Sequence, residues 1–526
     1  MIIAIDYLTD DEKDMDVSLL ERIRAFFTHK EEVVEGATIV LKAKKNLAKG
    51  DPCDICGSIG LKHLRPYLDS PQTKIFLLLD NQDENIAALN NLFEAKVECS
   101  KIYCHARRDD LNTEIEEAFH QSVDGDNKTT WESVPEIVFI DSSYLAVRSL
   151  LRSVNHDKDK TLPIYYVKIA NDKNGQCLGY VESGFKAMIL GFGETGQEAL
   201  SFLYEYGAFV GKDKMKASFE CHVYDSRMDS IIGAYKVTHP CMNPEDAGVY
   251  YHNMEIGNDE FRDSFEKEII DTNYIVVCGG TDEINLNIVQ FVTQYLGNKD
   301  ITENSRFRIF VRMYNPNSIV QRTLEAIKKR ENECIQFFGK VETIWIENVI
   351  SDEQLTKDAK SFHNNYLVSK YGDKIPDEQQ WDTIEGIIHG TNVSRKDRLN
   401  GIRMRAQNYS NYLHIPTKLK LMQGPLLDEA KSIAGCIPSE YVDTMFNGDK
   451  KIKDIVEYVA ICEHLRWEAS HVVLGYRGGN EKNIGLKIHP FIMDYSELAP
   501  EYQLFDWEVV KTTLEWYASK TTTNEE

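Results

Sequence analysis

An apolar run from Phe185 to Leu190 leads straight into Gly191-Phe192-Gly193-Glu194-Thr195-Gly196, and a helix-forming stretch, Gln197 to Tyr206, follows. No other feature narrows the fold so much. A strand, a glycine turn and a helix in that order begin a parallel α/β sheet, because parallel neighbours need a crossover between them. The spacing assigns each glycine a task. Gly191 permits the tight turn, Gly193 lets the backbone approach an anion, and Gly196 lets the helix pack closely on the strand. The N–H groups that open the helix are then free donors, and a dinucleotide pyrophosphate is the anion that such a turn accepts. Phe192, Glu194 and Thr195 complete the candidate loop.

Phe219 to Asp225 reads as the second strand and ends on a carboxylate. Asp225 falls 29 residues after Gly196, and the basic insert Lys212-Asp-Lys-Met-Lys216 accounts for the long interval. An acid there accepts hydrogen bonds from ribose hydroxyls and repels a 2′-phosphate, which favours NAD, ATP, ADP or another adenosine nucleotide over NADP. Ser226 and Arg227 share the turn, and Arg227 blurs the choice because a guanidinium pairs with a 2′-phosphate.

The alternation continues. Further strands are expected at Val249 to Met254, Tyr274 to Cys278, Phe307 to Arg312 and Ile335 to Phe338, with a helix from Ile284 to Leu296. The expected fold class is therefore α/β, a doubly wound parallel sheet whose ligand lies outside the carboxyl ends of the strands. Gly279, Gly280, Thr281 and Arg312 fall at those ends.

The first 150 or so residues repeat the pattern without the glycine loop. Lys74 through Asn85 parallels Tyr274 through Asn285, and Lys101 to Arg107 parallels Phe307 to Met313. Strands are also expected at Met1 to Asp6, Thr38 to Lys42, Cys53 to Cys56 and Ile137 to Asp141. This reads as a tandem duplication of one Rossmann-like fold. Its first copy is degenerate, because the acidic stretch from Tyr7 to Glu12 repels phosphates. The expected domains are 1–155, 183–345, a helical connecting region at 346–448, and a small mainly α domain at 449–526. Arg395, Arg403 and Arg405 concentrate positive charge in the connecting region, either as a solvated helix face or as a reach toward bound phosphates.

Sixty basic residues against 84 acidic ones leave a formal charge of −24, which opposes a nucleic-acid polymer or an anionic membrane as partner. No apolar run approaches the roughly 18 residues needed to span a bilayer, so no membrane insertion and a cytoplasmic location are expected. The eleven scattered cysteines read as buried thiols; Cys53, Cys56, Cys99 and Cys104 could form a zinc set only against their strand-like context.

Residues 184 to about 340 resemble the nucleotide-binding domain of potassium-conductance regulators, the RCK or KTN (TrkA-N-like) family, in the loop, the strand-end acid and Thr281-Asp-Glu-Ile-Asn285. Glu463-His-Leu-Arg-Trp467, Gly475-Tyr476, Lys487-Ile-His-Pro490 and Tyr495-Ser-Glu-Leu498 resemble the bacterial ryanodine-receptor-type repeat, the RyR domain. Bacterial proteins that join the two form a group which this chain resembles over most of its length. The resemblance implies a nucleotide-binding sensor or effector, in potassium regulation or anti-phage nucleotide signalling, and a homodimer. It also implies an RyR pocket for a second ligand or protein, for which Glu463, Arg466, Trp467, Tyr476 and His489 are the candidates. Unlike in the channel regulators, no pore segment is expected ahead of the domain. The rival reading is an NAD-dependent oxidoreductase, for which His363 with Tyr366, or His389, are isolated candidates for proton transfer. His464, Glu468 and His471 share a helix face that could hold a metal, although their spacing matches no catalytic metal motif.

Overall fold

The structure, a computed structural model, describes residues 2–6, 38–42, 70–78, 82–94, 97, 99–106, 136–151, 160–298, 308–314, 318–330, 334–345, 347–390, 393–432 and 450–522. It divides into two compact units. One contains Met1–Leu145, Val349–Ser351 and His389–Asn392; the other contains Ala146–Asn348, Asp352–Ile388 and Val393–Glu526.

The first unit holds a parallel sheet of β1 (Ile2–Asp6), β2 (Thr38–Lys42), β3 (Ser70–Leu78), β4 (Cys99–His105) and β5 (Glu136–Ile140), in that spatial order. Helix α1 (Gln82–Glu94) follows β3 and buries Ala88, Leu89 and Leu92 at helical spacing. The expected strand at Cys53 and Cys56, and the acidic stretch from Tyr7, lie outside the described residues. The strand order corrects the sequence reading in one respect. A doubly wound sheet reverses direction beside its first strand, whereas these five strands run in chain order.

The second unit opens with an antiparallel hairpin, β6 (Ile169–Asn171) and β7 (Cys177–Val181), which the sequence reading missed. Its main sheet comprises β8 (Phe185–Leu190), β9 (Phe219–Asp225), β10 (Val249–Asn253), β11 (Tyr274–Val277), β12 (Arg308–Arg312) and β13 (Ile335–Phe338). All pairs are parallel and the order is β10-β9-β8-β11-β12-β13, the doubly wound arrangement. β11 is buried at every position, as a strand covered on both faces must be.

One face, including Met188, Leu190, Ile275 and Val277, packs on the helices Asp259–Glu268, Asp282–Asn298 and Ser318–Arg330, and the other, including Ala187, Ile189, Tyr274 and Val276, packs on Glu194–Tyr206 and Met228–Thr238. These helices are α2 (Glu194–Tyr206), α3 (Met228–Thr238), α4 (Asp259–Glu268), α5 (Asp282–Asn298) and α6 (Ser318–Arg330). Beyond the sheet come α7 (Glu353–Tyr371), α8 (Trp381–His389), α9 (Arg395–Leu413), α10 (Ile415–Leu421), α11 (Lys450–Val472) and α12 (Pro500–Thr522). Ile455, Val456 and Val459 of α11 and Val510 and Leu514 of α12 join the core that holds Leu200 and Leu203 of α2. Each such side chain contributes roughly 1.5–3 kcal/mol by leaving water.

The two sheets share an internal correspondence. Lys74 of β3 sits opposite Lys101 of β4, and Tyr274 of β11 opposite Arg308 of β12. The counterpart of Lys101 is thus Arg308, one residue on from the expected Phe307. Asn85, fully buried, donates from Nδ2 to His105 O at 2.9 Å, and Asn285, equally buried, donates to Arg312 O at 2.8 Å. In that register these are the same hydrogen bond in the two halves. Ala106 N to Ile140 O and Met313 N to Phe338 O, at 3.0 and 2.9 Å, correspond likewise.

Candidate functional site

The sheet order reverses beside β8, and there the chain turns through the glycine loop. Gly191 has φ +108°, and a Cβ on it would lie 2.4 Å from Cys278 O, so no other residue fits. A Cβ at Gly196 would meet Gly191 O at 2.1 Å; the helix approaches the strand as closely as the spacing predicts. Gly193 differs. It has an ordinary φ of −66°, caps α2 without a side-chain partner, and an added Cβ would meet nothing within 4 Å. The protein's own packing does not demand this glycine; it leaves open space at the positive end of α2.

Asp225 is buried at the end of β9 and holds the loop. Its Oδ2 accepts from Phe192 N at 2.7 Å and its Oδ1 from Arg227 N at 2.8 Å. Each carboxylate oxygen keeps further acceptor capacity. The Arg227 side chain is exposed, with Nε 3.8 Å from Asp225 Oδ1, and Ser226 is exposed beside it. The Phe192 ring points inward, edge-on to Tyr235 at 5.1 Å, and is fully buried. Glu194 is exposed in the first turn of α2, while Thr195 is buried and hydrogen-bonds Tyr314.

Across the switch point, Gly280 is exposed at φ +99° with open space above it, and Thr281 Oγ1 caps α5 by accepting from Ile284 N at 3.2 Å. Gly279 N donates to Asn285 Oδ1 at 2.6 Å. Arg312, expected among the ligand contacts, is buried instead; its Nη1 donates to Met313 O at 2.6 Å and its guanidinium stacks 4.6 Å from the Tyr314 ring. A cavity of about 350 Å³ lined by Lys160, Tyr165, Lys168 and Lys420 lies toward the opposite end of β11, away from this loop.

Elsewhere the expected residues separate. Glu463 and Arg466 pair on α11, Nη2 to Oε1 at 2.7 Å, and both are buried in a polar network. Glu463 Oε2 also lies 3.1 Å from Lys418 Nζ and 3.2 Å from His414 Nδ1, and Arg466 Nη1 donates to Ser410 Oγ at 2.5 Å. Ser410 in turn bonds Glu205 of α2. Burial alone would raise the Glu463 carboxyl, yet the charges of Arg466 and Lys418 hold it well below the carboxylate range.

Trp467 is half-buried, 4.0 Å from the His471 ring and 5.0 Å from His489; Tyr476 lies edge-on to His471 at 5.4 Å. The helix face of His464, Glu468 and His471 is divided among other partners. His464 bonds Met493 O at 3.0 Å and faces Asp506 at 3.5 Å, and His471 bonds Arg403. Burial opposes charge on His464, but Asp506 overrides it and raises the imidazole to about 9. Arg405 pairs with Glu385 at 3.3 Å and Arg395 is exposed. His363 is buried in α7 with Nε2 2.8 Å from Gln379 O, so its proton is engaged by the fold. Cys99 and Cys104 are buried free thiols, and burial pushes Cys104 up to about 12.

One cluster escaped the sequence reading. Glu220 and His222 of β9 and Glu268 of α4 converge, with His222 Nε2 2.9 Å from Glu220 and 3.2 Å from Glu268. The alternation Glu220-x-His222 was its only sequence signal, since Glu268 comes from a distant helix. Lys186 bridges both carboxylates at 2.7 and 3.0 Å, supplying the positive charge that a metal ion would bring. Burial would raise Glu268, yet Lys267 and Lys186 hold it down to about 2. The arrangement is a compensated ion cluster that pins α4 to β8 and β9.

No family model matches the chain, and no curated protein matches it. Among the described residues, no helix is long and apolar enough to cross a membrane.

Proposed function

We propose that this chain is a nucleotide-responsive regulator that holds the diphosphate of NAD, or of another adenosine nucleotide such as ATP or ADP, over Gly191 to Gly196. The observation that carries this reading is Gly193. In a loop whose other two glycines are required by protein contacts, it alone faces open space, at a helix N-terminus and at the reversal of a doubly wound sheet. The diphosphate is held by backbone N–H groups of Gly193 to Thr195, and the ribose approaches the remaining lone pairs of Asp225. Exposed Gly280 and Thr281 border the adenosine half. Occupancy acts on the rest of the protein through α2, whose far end carries Glu205 into the network of Arg466. A ligand shifts an equilibrium only by binding one arrangement better than another, and α2 is the element able to report it. The RyR-like helices serve as the sensing or interaction module, in a cytoplasmic homodimer.

Thermal shift of the full chain against NAD, NADH, NADP, ATP and ADP tests this reading. A bound nucleotide at about 100 times its Kd adds about 2.7 kcal/mol and raises Tm measurably. Gly193→Asp, which puts a carboxylate where the phosphates lie, is expected to abolish the rise while folding normally. A wild-type protein that shifts with none of these nucleotides overturns the proposal.

A further inference from the structure

Arg403 of α9 is 9% exposed, yet among the described residues no carboxylate accompanies it. Its Nη2 donates to Asn400 Oδ1 at 2.9 Å, its Nη1 lies 3.0 Å from His471 Nε2, and its Nε has no hydrogen-bond partner. One helical turn on, Gln407 is 8% exposed. Its Oε1 accepts from Ser470 Oγ at 2.7 Å, and its Nε2 also lacks a partner. Among the described residues, one face of α9 thus buries a full positive charge with no counter-charge, and two donors with no acceptor. Such groups are costly unless an acceptor arrives.

The neighbours share that polarity. His471 Nδ1 donates to Trp467 O at 2.9 Å, which leaves Nε2 to accept from Arg403 and fixes a neutral ring. His489 is likewise held neutral, pulled down to about 3 by burial and by the charges of Arg403 and Lys482. Lys482, on the exposed loop before His489, is itself lowered by burial and then by Arg403. The rings of Trp467, His471 and His489 lie within 5.2 Å of one another, and Trp467 is only half-buried. In a chain of net charge −24, two cations beside an aromatic face are a local inversion of sign.

We propose that Arg403 and Lys482, with the ring of Trp467 and the flanking His471 and His489, form a second binding site for a small planar anion of the nucleoside monophosphate kind. The phosphate pairs with the two cations and the flat ring stacks on Trp467. The site deepens the reading of the RyR-like module as a ligand sensor and replaces its expected acid–arginine pair; it does not depend on the glycine loop.

Calorimetric titration of the full-length protein with AMP, inorganic phosphate and adenosine tests it. Gly193→Asp serves as background, so that the glycine loop is silent. Expected are AMP binding in that background, weaker binding of phosphate, and weaker binding still of adenosine. Adding Lys482→Glu, an exposed position that leaves the fold intact, is expected to weaken AMP at least tenfold. Arg403→Met is expected to abolish AMP binding while leaving the Tm of the unliganded protein equal to or above the parent's, because it removes an uncompensated charge. Absence of AMP binding in the Gly193→Asp protein overturns the proposal, as does binding that Lys482→Glu leaves unchanged. A Tm lowered by Arg403→Met with AMP affinity retained also overturns it. Loss of the thermal shift in wild type with AMP binding intact would sink the glycine-loop reading alone.

Discussion

Two glycines in one loop serve opposite purposes, and single substitutions separate them. Gly191→Ala places a Cβ 2.4 Å from Cys278 O at φ +108°, and is expected to cost at least about 2 kcal/mol in chemical denaturation. Gly193→Ala meets nothing, so its stability is expected to stay within about 1 kcal/mol of wild type, the scale of an N-cap change. Nucleotide affinity is expected to fall for Gly193→Ala by tenfold or more. A Gly193→Ala protein that binds as tightly as wild type would refute the role given to that glycine. Spacing made all three glycines legible. It did not tell which were held by the protein and which were left for a ligand, because that depends on Cys278, nearly 90 residues away. For the same reason Phe192 and Arg312 read as candidate contacts, while the fold turns both inward.

At the scale of elements, the six strands of the second sheet were legible nearly to the residue, because the inner strands β8 and β11 are written as apolar runs and the others follow at the spacing of strand–helix alternation. The hairpin of β6 and β7 was not. Its three- and five-residue strands carry a polar turn, and it is held by contacts far along the chain, such as Cys177 N to Gln423 O at 3.0 Å. The order of the first sheet was equally invisible, since pairing partners are set by crossovers and not by the strands' own composition. What the two halves do share is the buried asparagine that ties one strand end to the next. Asn285→Ala leaves Gly279 N–H and Arg312 C=O without their partner, and is expected to cost about 2–3 kcal/mol. Asn85→Ala is expected to lower stability by a similar amount, read from its own unfolding transition or from hydrogen exchange of β3 and β4. A silent Asn85→Ala would mean that the correspondence is one of pattern without energetic weight.

At the scale of the molecule, α11 and α12 and the six-stranded sheet share one core, sealed by a buried network of Glu205, His414, Lys418, Glu463 and Arg466. Removing one member strands the others. Glu463→Ala is expected to cost about 3–5 kcal/mol, and to loosen α11 from α2 as seen by hydrogen exchange, whereas Glu463→Gln retains part of the hydrogen bonding and costs less. Equal effects of the two variants would show that charge in this network matters no more than shape.

By itself the sequence determined the class of fold, the doubly wound half with its glycine turn, and the three-residue spacing that sets Glu463 and Arg466 on one helix turn, because each is written in local periodicity and short spacing. Only the tertiary structure decided that this pair lies buried under α2, that Arg403 faces His471, and that Glu268 meets His222. Those meetings join residues tens to hundreds of positions apart, and a linear pattern carries no record of which distant faces close on one another.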